Sequence, residues 1–503
     1  TAENQELQVA NDVAALRSSF NEGKSKPFSA RRASLETLGR LMNENKDLIC
    51  QALYEDLHKS ATEAIATEIL SIQNEIQEQL DFFEEWASPQ SVPQDPLNFP
   101  GSSEIHSDPL GVCCIIGPWN YPFALILKPL AGCLAAGNTC LVRTPSNDTC
   151  VKSASLIAEL LRKYMDDSIV RVVEGDVEAT KAVLLQKFDK IFFTGGAVGG
   201  KCVARAAAET FTPVVLEMGG KSPTIVDSSV NIKVASKRIA WAAFLNAGQT
   251  CIRPDYVLVD ASIADQFIQG VKENIEHMWG KGLDEILKSP EYGRLVSARQ
   301  YERVVGLVES DKKYIVQGGN GDEGQRCIEP TVMDFGTDTE AFASSRVMQD
   351  EIFGPIMPVL RYESLDQAIE FIRERPKPLT LYCFTTKKTV YQRVFRETSS
   401  GGGVVNDCLV QTSNSALCFG GVGNSGMGNY VGKFSFDTFS HKKSIMYKKF
   451  YMDFPQRYPP HTPFARKMLE SILTPRPRKQ TQMMKLGFLS VGLAIALKKF
   501  EYW

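Results

Sequence analysis

The sequence is poor in the residue that most often carries metal or triad chemistry. Its 503 residues include five histidines, His58, His106, His277, His441 and His461. None forms a His-Glu-x-x-His pair, so a zinc enzyme or a histidine-based triad has almost nothing to be built from, and no metal site is expected. Cysteine is plentiful, at twelve, but it shows no metal-ligand spacing, and Cys113 and Cys114 are adjacent. Thiols scattered in this way argue for a reducing compartment rather than a disulfide framework. Excess charge is missing too. A net charge of −3, with no basic stripe carrying interleaved aromatics in the body, argues against nucleic acid as a partner. The first residues lack the basic and apolar segments of a secretory signal, although a start without methionine leaves a removed leader open.

What is present is an ordinary globular composition, 43% hydrophobic and 23% charged, in a chain longer than one hydrophobic core usually supports. Thr1 to Trp86 reads as helices, with Leu16, Phe20, Leu38, Leu41, Ile49 and Leu53 at roughly helical spacing. Ala87 to Ser107, rich in Pro, Ser and Asp, reads as a linker into an exposed strand. From Leu110 apolar runs at 112–116, 139–143, 170–173 and 191–193 alternate with helix-period segments. That alternation predicts an α/β fold, a parallel sheet with helices on both faces, whose ligands bind beyond the C-terminal strand ends. The turn Phe193-Thr194-Gly195-Gly196-Ala197-Val198-Gly199-Gly200-Lys201 sits at such an end. Its glycines let backbone N–H groups and a helix N-terminus approach a pyrophosphate. A second alternating region runs from beyond Pro213 to about Ser400.

Three stretches carry candidate chemistry. In Leu245-Asn-Ala-Gly-Gln-Thr-Cys251-Ile-Arg-Pro-Asp-Tyr256 a cysteine emerges from a helical pattern that can bury Ile239, Trp241 and Phe244. Gly248 and Pro254 bracket it, so the thiol can face a pocket and attack a carbonyl; the plain alternative is a small buried hydrophobe. Leu216-Glu217-Met218-Gly219-Gly220-Lys221-Ser222-Pro223 sets a carboxylate between apolar residues, where desolvation would raise its pKa toward that of a general base. Its alternative is a glutamate pairing at a strand end. Ile116-Gly117-Pro118-Trp119-Asn120-Tyr121-Pro122 holds an amide that can donate to an oxyanion without adding charge, or can be an ordinary turn asparagine.

Pro-Trp-Asn-Tyr-Pro, Phe-Phe-Thr-Gly-Gly, Leu-Glu-Met-Gly-Gly-Lys-Ser-Pro, Gly-Gln-Thr-Cys and Glu-Ile-Phe-Gly-Pro follow one another in this order. Over residues 10 to 460 the chain resembles the NAD(P)-dependent aldehyde dehydrogenases. It is most similar in look to their class 3 or fatty aldehyde dehydrogenase branch, through 251–256, the glycine-rich 419–428 and a hydrophobic C-terminal tail.

The resemblance implies a NAD(P)-binding domain of 1–86 and 107–213, a catalytic domain of 214–400, and a small β bridging element of 87–106 and 401–440. A C-terminal extension, 441–503, would follow. It implies Cys251 as nucleophile attacking as thiolate, Asn120 in the oxyanion hole and Glu217 as the water-activating base. Trp119, Arg143, Asn147, Thr194, Gly195, Gly196, Gly200, Glu351 and Phe353 would hold NAD or NADP. Trp119, Tyr121, Trp241 and Leu245 are candidates for the aldehyde tunnel. A homodimer is implied, in which the region around Val404 to Val410 joins the sheet of a second subunit. Asn147 stands where the family usually has a glutamate that accepts the ribose hydroxyl, which removes a group that would repel a 2′-phosphate. Arg143 either adds a phosphate-binding fork or replaces a lysine on the ribose. Gly196 stands where relatives often carry serine or asparagine. Arg253 is a further departure, and it either lowers the Cys251 pKa or points to solvent.

The run 486–497, flanked by Lys485, Lys498 and Lys499, would span roughly 18 Å as a helix, short of the ~30 Å hydrocarbon core. Met483 and Met484, lysine snorkelling, the terminal Tyr502 and Trp503, and upstream Arg476, Arg478 and Lys479 make segment 483–499 a candidate membrane anchor, as a short span or a half-inserted segment; the plain alternative is a terminal helix docked on the protein body. The expected protein is cytosol-facing and membrane-associated, at the endoplasmic reticulum or another organelle membrane as the resemblance implies, and oxidises medium- to long-chain fatty aldehydes to acids. Two rivals are an acylating enzyme that passes the acyl group to coenzyme A, against which Glu217 argues, and a membrane-tethered binding protein without turnover.

Overall fold

A computed structural model describes residues 2–94, 98, 101–146, 149–450, 453 and 455–475. Asn147 and the proposed anchor 483–499 lie outside the described residues. Among those described, no helix is long and apolar enough to cross a membrane. The chain divides into one unit of residues 1–86 and 108–441 and another of 87–107 and 442–503.

The large unit begins with the expected helices, Ala2–Asn21, Phe28–Glu44, Lys46–Leu57, Ala61–Ala64 and Leu70–Ala87, with a π-helical turn at Ile65–Ile69. Leu35, Leu38, Leu41, Ile49 and Leu53 are buried, as their spacing requires. Two sheets follow. The six-stranded sheet runs in the order Gly426–Met427, Val214–Met218, Lys190–Gly195, Val112–Ile116, Thr139–Arg143, Val170–Val173, parallel except for its first strand. The seven-stranded sheet runs Ile315–Gln317, Thr331–Asp334, Ile356–Tyr362, Tyr256–Asp260, Pro223–Val226, Thr380–Phe384, Gly402–Val405, again parallel except for its first strand. Residues 112–116 and 139–143 are buried throughout, which is why they read as unbroken apolar runs. The small unit holds a three-stranded sheet of Gln90–Val92, Gly101–Pro109 and Ser440–Lys448, followed by the helix Pro463–Leu473.

Four expectations change. Val214–Met218 pairs with Lys190–Gly195, so the chain crosses to the second sheet at Gly219-Gly220 and not before Val214. The strand expected at 404–410 is Gly402–Val405; Asn406 and Leu409 take left-handed φ of 62° and 67°, which ends it. That strand and Gly426–Met427 lie in the two large sheets, whereas Ser440–Lys448 joins Gly101–Pro109. Trp241 is 37% exposed on a helix whose Ile239 and Phe244 are buried.

Candidate active site

The helix Ile232–Phe244 stops in a bend where Asn246, Ala247 and Gly248 all have left-handed φ, at 54°, 51° and 73°. Two such non-glycine residues in a row are strained and persist only where the surroundings hold them. Here the Asn246 amide donates to the Asn120 carbonyl at 3.0 Å and the Gln249 carbonyl at 3.2 Å. The Gln249 side chain donates to the carbonyls of Asn246 and Arg294 and accepts from the Val296 N–H. A Cβ on Gly248 would sit 2.3 Å from the Gly354 oxygen, so glycine is required there. The bend delivers half-buried Cys251 to a cavity of about 840 Å³.

Around that cavity the fold gathers Trp119, Asn120, Thr194, Gly195, Gly196, Glu217, Cys251, Glu351 and Phe353. Asn120 is buried and its amide donates to the Gln249 carbonyl at 3.1 Å, two residues before the cysteine. Glu217 is 3% exposed, with both carboxylate oxygens lacking a partner, and burial holds its pKa well above the usual carboxylate range. Its strand sets it opposite Thr194. Burial, and then the charges of Glu351 and Glu217, push the Cys251 thiol up.

Glu351 is pushed up to about 8, first by burial and then by Asp255, against the Gly220 N–H, Lys221 and Arg253. A Cβ on Gly219 would fall 2.2 Å from its carboxylate oxygens, so the glycine admits the acid. Phe353, at φ 44°, meets Trp119 edge-on with ring centroids 5.2 Å apart. Arg303 holds that loop by donating to the carbonyls of Ile352 and Phe353. Beneath it Lys221 forms an ion pair with Asp255 and donates to the carbonyls of Val347 and Asp350.

Other sequence candidates fall elsewhere. Gly196 has open space at its Cβ position, ahead of the helix Ala197–Ala208, whereas Gly200 packs against the Met218 sulfur and is not part of the lining. Arg143 is 3% exposed and its guanidinium donates to the carbonyls of Thr144, Gly175 and Asp176, so the fork is turned inward. Tyr121, Trp241 and Leu245 lie outside the lining; the Tyr121 hydroxyl is 2.6 Å from Thr250 Oγ1. Arg253 neither points to solvent nor ranks among the influences on the Cys251 thiol. It is 1% exposed, donates to the carbonyls of Ala243 and Ile356, and lies 3.5 Å from Asp255.

Sequence reasoning missed Arg299, Gln300 and Arg303, from the helix Ala298–Ser310, and Arg346, all on the cavity wall. Their only sequence signal is the polar face of an amphipathic helix, which ordinary solvation also produces.

Unpartnered Thr194 Oγ1, Glu217 and Glu351 Oε1, with open backbone at Gly196 before a helix N-terminus, fit a polar ligand with phosphate and sugar groups. The comparisons with known proteins agree. Residues 1–445 match the family model described as "Aldehyde dehydrogenase family". The chain is 43% identical over 442 residues to 4,4'-diaponeurosporen-aldehyde dehydrogenase of Staphylococcus aureus, covering 88% of this chain and 94% of that one. It is 40% identical over 455 residues to the dimeric NADP-preferring aldehyde dehydrogenase of Canis lupus familiaris, covering 90% and 98%. A solved structure of the substrate-bound state of Staphylococcus aureus AldH superposes with a TM-score of 0.88 at 41% identity, over 92% of this chain and 99% of that one. Matches that run nearly end to end on both sides leave no room for a shared fragment alone, and the chain is a member of the aldehyde dehydrogenase family.

Proposed function

We propose that this protein oxidises aldehydes, preferentially medium- to long-chain fatty aldehydes, to carboxylic acids with NAD or NADP. The observation that carries the reading is the convergence of Cys251, Asn120 and Glu217 with Glu351 and Phe353 on one cavity.

Cys251 Sγ passes its proton to water in the cavity and bonds to the aldehyde carbon, the C=O π pair moves onto the oxygen, and that oxyanion accepts from the Asn120 amide and the Cys251 backbone N–H. A bound nicotinamide dinucleotide supplies the acceptor for the hydride that leaves that carbon. Glu351 and Thr194 would hold the cofactor through their unpartnered oxygens, Gly195 and Gly196 through backbone that is open at Gly196, and Trp119 and Phe353 through their faces. Glu217 then takes a proton from water whose oxygen attacks the thioester carbon; the C–S bond breaks and the acid departs. A carboxylate kept basic by burial suits that step, and an acylating route has no use for it.

In this reading the six-stranded sheet serves the cofactor and the seven-stranded sheet the nucleophile. The apolar walls Leu125, Leu307, Leu379 and Phe419 suit an alkyl chain. Dimeric state and NADP preference are properties in the name of the canine relative, and they support a homodimer and NADP use here. The lysine-bounded run 486–497 supports a cytosol-facing, membrane-associated enzyme; recovery of full-length protein in the cytosolic fraction would overturn that part. The main test is NAD(P)H formation with long-chain, short and aromatic aldehydes. Long-chain turnover lost in Cys251→Ala is the expected result, and cofactor binding without turnover of any aldehyde would refute the enzyme reading.

A further inference from the structure

A fully buried ion pair lies behind Asn120. Lys59 and Glu68 are both 0% exposed, and the Lys59 ammonium is 3.0 Å from Glu68 Oε1. Two charges removed from water are costly unless every remaining valence finds a partner. Here each does. Lys59 Nζ also donates to the Asn120 carbonyl at 2.8 Å and lies 3.8 Å from the centre of the Tyr121 ring. Glu68 Oε2 accepts from the N–H groups of Phe123 and Ala124, at 3.0 and 2.8 Å, where the helix Ala124–Ala135 begins. Glu68 itself stands in the π-helical turn Ile65–Ile69, a wound-out geometry that recurs at functional sites.

The ammonium therefore holds the carbonyl end of the Asn120–Ala124 turn and the carboxylate holds its amide end. Between them the Asn120 side chain is left aimed at the Gln249 carbonyl beside the nucleophile. We infer that the Lys59–Glu68 pair is a positioning device for Asn120, fixing the amide where the developing oxyanion forms. Neither charge lines the cavity, so both act through the turn and not on the substrate. The inference rests on the oxyanion role proposed for Asn120.

The test is a coupling cycle on the full-length enzyme. Lys59→Met/Glu68→Gln removes both charges at similar volume, and Glu68→Gln alone is the milder variant that carries the test if the double variant does not fold. Each is measured in the parent and in Asn120→Ala, by kcat/KM for aldehyde and by cofactor Kd from fluorescence. Asn120→Ala should itself lower kcat/KM by about a hundredfold or more. The neutral pair should cost about tenfold to a hundredfold, and Glu68→Gln about fivefold, with cofactor Kd held within about threefold. In the Asn120→Ala background both losses should shrink to less than about threefold, because the group they position is gone. Losses that persist in full without the Asn120 amide, or a parent background that tolerates both variants, would overturn the inference. An Asn120→Ala enzyme with undiminished kcat/KM would instead overturn the role of Asn120.

Discussion

Replacing Glu351 by glutamine should stabilise the cofactor-free protein at alkaline pH and leave it little changed near pH 5. The carboxylate is pressed against Gly219, one oxygen has no partner, and its pKa is pushed up to about 8 from an ordinary 4.5. The folded protein therefore binds this proton more tightly than the unfolded chain. Between those two values folding takes up a proton, and stability falls as pH rises. A shift from 4.5 to about 8, at ~1.4 kcal/mol per unit, sets an upper limit of about 5 kcal/mol. Water reaching the cavity reduces it, and about 1–3 kcal/mol is the expected loss by pH 8. Glutamine has the same shape, keeps an oxygen for the Gly220 N–H and never ionises. Calorimetric melting of apo parent and Glu351→Gln from pH 5 to 8.5, at two scan rates, should show curves that coincide at the acid end and separate in favour of the variant. A variant less stable than the parent at pH 8, or a gap independent of pH, would refute the electrostatic argument.

Glu217→Gln should retain the first NAD(P)H released per active site while steady turnover falls by about 10²–10⁴. Stopped-flow absorbance separates the two phases, and turnover within about threefold of the parent would remove Glu217 from the mechanism. Because burial raises its pKa, parent turnover should climb with pH through that raised value as the base is freed, a rise the variant lacks. Arg253→Ala should lose about 2–4 kcal/mol in urea unfolding, since it frees two carbonyls and a neighbouring carboxylate in the core. The pH dependence of Cys251 alkylation should stay in place in that variant; a shifted profile would mean that Arg253 does tune the thiol. NADP should support turnover at least comparably to NAD, and a preference for NAD above about a hundredfold in kcat/KM would show that Asn147 does not widen cofactor choice.

Local signals survive in this sequence and distant ones do not. Strands 112–116 and 139–143 are legible because both faces are covered, so each stands as an apolar run between turns. The sheet to which Val214–Met218 belongs is not legible, because parallel pairing is made with a neighbour across a helix and leaves no mark in the strand itself. Cys251, Glu217 and Asn120 stand out as unusual residues near glycine or proline, whereas Glu351 and Phe353 are legible only through the family resemblance; the fold brings all five to one cavity. Arg253 misleads for a plain reason: arginine is usually outside, and the carbonyls that justify burying it come from Ala243 and Ile356, the latter 103 residues away. The arginines of Ala298–Ser310 read as a solvated helix face, and Lys59 and Glu68 as two charges among many.

The register that sets Glu217 opposite Thr194 has a consequence for movement. The carboxylate and the glycine-rich turn ride on neighbouring strands of one sheet, whereas the thiol is carried by the loop leading into the other. Any hinge-like parting of the two sheets would widen the gap between acid and sulfur while leaving the acid and the turn in step. Such a parting would act as a clutch between acid and sulfur, without disturbing the bed on which the turn rests.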